Sequence, residues 1–118
     1  MKHKVIIPIY GISLTILTSK NVSKQHKKVE KDIGTEISGT DCEAFMVSEK
    51  HNFKVYFRED QVSLKTIVHE SFHLTHYILD WMGDGFNFNQ QENGAFLCEY
   101  LVDLILGVIK DKFKIKVV

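Results

Sequence analysis

FKVYFREDQVSLKTIVHESFHLTHYILDWMG, residues 53–83, changes its period partway along. Phe53, Val55 and Phe57 share one face, and Lys54 and Tyr56 take the other, which is the period of a strand. Beyond Arg58 the apolar spacing becomes three and four, the period of a helix. Asp60 and Ser63 are both N-cap candidates. The helix is predicted to run to about Met82, where Gly83 and Gly85 end it. Leu64, Ile67, Val68, Phe72, Ile78, Leu79 and Met82 spread apolar surface around most of it, which predicts a central, buried helix.

The rest of the chain arranges itself around this switch. Ala44 to Val47 is a partner strand for 53–57, with Ser48 to Asn52 as the turn of a β-hairpin. Residues 5–19 read as a first strand, bent at Pro8 and Gly11, because Ile12, Leu14 and Ile16 alternate with Ser13 and Thr15. Pro8 has no amide donor, so its end belongs at an edge or an irregularity. Asn21 to Ser23 can cap a helix that reaches about Ile33 and stops at Gly34, with Val22, Val29 and Ile33 on one face. Lys24, His26, Lys27, Lys28 and Lys31, mixed with Glu30 and Asp32, read as its solvated face rather than as a nucleic-acid patch. Thr35 to Thr40 is a polar loop. A last helix spans about Gln91 to Lys110, with a wide apolar face from Ala95 to Val108. The order β, α, β, β, α, α predicts a single α+β domain over 1–118. It is a small, mostly antiparallel sheet of about three strands packed on a helix pair.

Composition narrows the function classes. Fifteen basic residues balance fifteen acidic ones, so there is no electrostatic footprint for nucleic acid or an anionic membrane. No apolar run reaches the roughly 18 residues of a membrane span. The start, MKHK followed by Val5 to Leu17, imitates a signal peptide, but Pro8, Gly11, Ser13 and Thr15 break the apolar run and no small-x-small site follows, so a strand is the better reading. Cys42 and Cys98 form no CxxC pair, which suits two reduced thiols in a cytoplasmic protein.

The chemistry lies in HESFHLTH, residues 69–76. His69 and His73 are four apart and stack on one helix face, so both imidazoles can point at one ion. Glu70, at the edge of that face, can reach the water at such an ion without binding it. This is the physical content of HExxH: two Zn2+ ligands and a general base. A catalytic zinc takes three protein ligands and keeps a place for water, so a third ligand is needed. His76 shares the face but sits a turn too far along, since a helix rises about 1.5 Å per residue. It reads as a supporting or packing residue. Glu92, in the first turn of the last helix, is favoured over Glu99, two turns on, with Ala95 small enough to let the helices approach. Asp80, seven from His73, either orients a ligand or pairs with a basic side chain.

His69-Glu70-Ser71-Phe72-His73 followed by Glu92-Asn93-Gly94-Ala95 resembles the gluzincin branch of zinc metallopeptidases. Residues 66–105 are also similar to small phage and prophage proteins that carry an HExxH helix and then a helix of the type AFLCEYL, 95–101. The resemblance implies zinc held by His69, His73 and Glu92, and Glu70 as the base and acid of peptide hydrolysis. It implies an oxyanion-stabilising side chain, for which Tyr77, Tyr100 and His76 are candidates. It also implies a peptide or protein substrate added as a strand at the sheet edge upstream of the motif helix, a place that falls to Phe53 to Arg58 in this chain. The third histidine of some zincins follows a bend at a glycine, and none occurs between His73 and Gly83. The chain is too short for the second lobe of larger gluzincins, so its cleft should be small. Two other readings stand beside the peptidase. One is a metal-stabilised protein-binding domain, against which the extra carboxylate of Glu70 speaks. The other is a regulatory protease that cuts one partner, such as a repressor, by the same chemistry.

Overall fold

The computed structural model describes residues 1–7, 11–20, 44–49, 51–83 and 91–112. The expected helix over 21–33, its basic face, the loop at 35–40 and Cys42 lie outside these residues. Strands β1 (Lys2–Ile7), β2 (Ile12–Ser19), β3 (Ala44–Glu49) and β4 (Asn52–Arg58) form one sheet in the order β1-β2-β4-β3. β1 runs antiparallel to β2 and β3 antiparallel to β4, while β2 and β4 are parallel. Helices α1 (Leu64–Trp81) and α2 (Gln91–Lys110) pack on each other, and α1 also packs on β3. The α+β class holds. No helix among the described residues is long and apolar enough to cross a membrane.

The sheet has one strand more than the sequence suggests, because 5–19 is not one bent strand. It is a hairpin with Ile7 opposite Ile12. Gly11 sits at φ 61°, where only glycine is unstrained, and its amide donates to the Ile7 carbonyl at 3.1 Å. Gly11, read as part of a bend, therefore stands at a reversal, while Pro8 lies outside the described residues. The second hairpin, β3–β4, is as expected, with a tighter turn: pairing continues to Glu49 opposite Asn52.

A second correction concerns the edge. β4 lies inside the sheet, between β2 and β3, so Phe53 to Arg58 cannot receive an added strand. Its residues show why. Phe53, Val55 and Phe57 are fully buried on one face and Tyr56 is buried on the other, the signature of an inner strand. The edge beside α1 belongs to β3.

The core is the seam between sheet and helices. Ile12, Leu14 and Ile16 of β2 and Phe53, Val55 and Phe57 of β4 meet Ile67, Leu74 and Ile78 of α1 and Leu97, Leu101, Ile105 and Ile109 of α2. Each of these side chains contributes about 1.5–3 kcal/mol on burial. The helix pair is more one-sided than its composition predicts. Val68, Phe72 and Met82 at the end of α1 are exposed, so α1 is amphipathic rather than buried all round. On α2, Gly94 is buried and Ala95 is exposed, so the small residue turned inward is the glycine, not the alanine.

Candidate functional site

The start of α1 is fixed locally, and that fixes the direction of everything on it. Of the two cap candidates, Ser63 is the one used. Its hydroxyl accepts from the Thr66 amide at 3.1 Å, and the Thr66 hydroxyl accepts from the Ser63 amide at 3.0 Å. This reciprocal pair satisfies two otherwise unpaired amides of the first turn. With the helix phase set, Ile67, Ser71, Leu74, Thr75 and Ile78 turn to the core, while His69, His73 and His76 emerge on the opposite, solvent-facing side. Gly83, at φ 85°, follows the last turn.

His69 and His73 meet. Their Nε2 atoms are 3.1 Å apart, with ring centroids at 4.7 Å and planes at 74°. Two nitrogens held tetrahedrally by one zinc at about 2.0–2.1 Å would lie about 3.3 Å apart, close to the separation of this hydrogen-bonded pair. Burial, and then the charges of His69 and His76, hold His73 below its ordinary 6.5. That favours the neutral imidazole, the form that binds metal.

Glu70 differs from the histidines beside it. It is only 6% exposed, whereas His69 and His73 on either side of it face solvent. Burial raises its carboxyl from 4.5 to about 7. It opens onto a cleft of about 250 Å³ whose other walls are Ala44 of β3 and Lys65, Thr66 and His69 of α1. A carboxyl balanced near neutrality at the wall of a cleft can both accept and return a proton.

The remaining expected residues are placed as follows. His76 is exposed and stands edge-on to Tyr77, ring centroids 5.8 Å apart. Tyr77 and Asp80 are exposed on α1, and Tyr100 on α2. Glu92 is exposed in the first turn of α2, and Glu99 is exposed two turns further on. Among the described residues, no group of three or more His, Cys, Asp or Glu side chains gathers where one ion could bind, so the structure brings together the histidine pair and Glu70 but no third ligand. Cys98 is a free, half-buried thiol.

Three cleft residues escape a reading of the motif alone. Lys65 and Thr66 stand one turn before His69 and Glu70, so helical spacing is enough to point to them. Ala44 cannot be found that way, because it reaches the cleft through sheet pairing and the packing of β3 on α1. Comparison with family models, with curated proteins and with solved structures gives no match for this chain. The chemistry of the site therefore rests on its own residues.

Proposed function

We propose that the protein is a zinc-dependent peptide-bond hydrolase, with His69 and His73 as two metal ligands, Glu92 as the third and Glu70 as the proton-transfer group. The observation that carries this reading is the convergence of the two Nε2 atoms at 3.1 Å beside a carboxyl buried at a cleft wall. The two imidazoles stand at a separation that suits one ion, while Glu92, exposed on the neighbouring helix, is not gathered with them among the described residues. Zinc, when bound, lowers the pKa of water and polarises a carbonyl. Glu70 takes the proton of the attacking water and passes it to the leaving amine, and its position near neutrality suits both halves of that task. The open edge beside the cleft is β3, among the described residues, so a substrate strand adds there, alongside Ala44. Tyr77, Tyr100 and His76 stay the candidates for the oxyanion, and Asp80 for a supporting role. A regulatory protease acting on a single partner is the biological form that so small a cleft fits.

The test is metal content, then turnover. Wild type should carry about one zinc per chain, lost in His69→Ala, His73→Ala and Glu92→Gln and kept in His76→Ala. Retention in Glu92→Gln with loss in His76→Ala would move the third ligand onto α1. No zinc in the wild type, supplied with metal at neutral pH, would sink the proposal. Zinc without hydrolysis would leave the metal-stabilised binding domain.

A further inference from the structure

Lys65 is one of the five described residues that line the cleft, and nothing in the hydrolytic chemistry uses it. Its position is not explained by the helix. It lies in the first turn of α1, which contains no acidic residue. A cation there is opposed by the helix dipole. The residues three and four away on either side are Gln61, Val62, Val68 and His69, so no acid stands at helical pairing distance. Among the described residues no carboxylate pairs with it, whereas Arg58 nearby is paired with Asp60 at 2.8 Å. Among the described residues the cleft thus has an ammonium with no ion-pair partner, one helical turn from His69, with the buried Glu70 as the one acidic side chain lining the same space.

We infer that Lys65 is a specificity determinant that receives a carboxylate of the substrate peptide, and this rests on the hydrolase reading above. The spacing fits. Four residues of helix place Lys65 about 6 Å along the axis from His69. Side chains on the same face of an extended peptide repeat about every 6.6 Å. An extended peptide that runs along the α1 axis with its scissile carbonyl at the histidines presents a side chain about two residues away to Lys65. The cleft volume, about 250 Å³, suits one side chain rather than a larger group. Among the described lining residues Ala44 adds no charge, and Glu70, whose carboxyl burial raises, is the one acidic group. The carboxylate has two possible sources, an internal Asp or Glu or the end of the peptide chain. An ammonium on a flexible stem serves either, because it acts as a point charge.

The test compares zinc-loaded wild type, Lys65→Gln and Lys65→Glu on a proteome-derived peptide mixture, with cut sites read by mass spectrometry. Lys65 is exposed, so neither substitution disturbs the core. Wild type should enrich carboxylates about tenfold at one fixed position from the cut, the size expected of a partly exposed charge-assisted contact. Lys65→Gln should erase the enrichment, and Lys65→Glu should replace it with Lys and Arg. C-terminal amidation of the mixture separates the sources: enrichment that survives belongs to an acidic side chain, and enrichment that disappears belongs to the chain end. The Glu70→Gln chain, immobilised, gives a readout apart from turnover, since peptides it retains should carry the same bias and lose it when Lys65→Gln is added. Cleavage with one residue preference in all three chains overturns this inference and leaves the hydrolase standing. No cleavage by any zinc-loaded chain overturns the hydrolase reading and takes this inference with it.

Discussion

The two faces of α1 are made of the same eighteen residues and do opposite work. On one, Ile67, Leu74 and Ile78 have no exposure at all and lock the helix onto the sheet. On the other, His69 and His73 are exposed and meet each other through their Nε2 atoms. The inner face makes the fold and tolerates no polarity without cost. The outer face is free to carry chemistry because the fold does not depend on it. Glu70 sits at the seam, with the burial of the first face and the polarity of the second.

Substitutions can separate what each face controls. The largest effect belongs to the seam: in the zinc-loaded protein Glu70→Gln should cut peptide hydrolysis by about 10²- to 10⁴-fold while zinc content stays at the wild-type level. Hydrolysis that survives the change would remove Glu70 from the chemistry. Next comes the inner face. Leu74→Ala should cost about 3 kcal/mol of unfolding free energy, by lost burial and the cavity it leaves, and lower the melting temperature by about 10 °C. His73→Ala, one residue away on the outer face, should leave the metal-free melting temperature within a degree or two. If the two variants melt alike, the division of the helix fails.

The seam also has a cost that depends on pH. A carboxyl raised from 4.5 to about 7 holds its proton more tightly when folded than when unfolded. Its contribution is therefore fully present below about pH 4.5 and is lost as pH rises through 7, by at most about 3 kcal/mol. His73 titrates in the opposite sense, since its value is lowered and protonation opposes folding, but it is common to wild type and Glu70→Gln. Denaturant midpoints of the two metal-free chains should thus converge near pH 5 and separate by pH 8, with Glu70→Gln the more stable. Parallel curves would mean that Glu70 is not desolvated in solution. The smallest effect is Ser71→Ala. The Ser71 hydroxyl is buried with no hydrogen-bond partner among the described residues, so its removal should stabilise the fold by about 1 kcal/mol.

What could be read from the sequence follows from how local each feature is. The bounds of α1 and α2, the existence of the β3–β4 hairpin and the meeting of His69 with His73 depend on spacings of two, four and the residues of one turn, and these stand as read. Local reading falters where contacts between distant segments decide. The Pro8–Gly11 region looks alike whether the chain bends or reverses, and only pairing of Ile7 with Ile12 distinguishes them. The place of β4 inside the sheet depends on its pairing with β2, which no local pattern reports, although the buried Tyr56 on its second face is a trace of it. The same limit applies to the site. Glu70 could be named from the motif, but its burial comes from α1 packing on β3, and Ala44 is invisible until that packing is known.

The parallel seam between β2 and β4 has a kinetic consequence. Ser13 pairs with Asn52 and Arg58 with Ser19, each 39 positions apart, and the Ser13 hydroxyl donates to the Asn52 side chain across the same seam. Both hairpins can zip from their own turns in microseconds, but joining them requires the ends of that long intervening stretch to find each other. The two halves of the sheet are thus expected to form early and separately, and their union to limit the rate of folding. Because closure entropy grows only with the logarithm of length, doubling that stretch would cost about 0.6 kcal/mol.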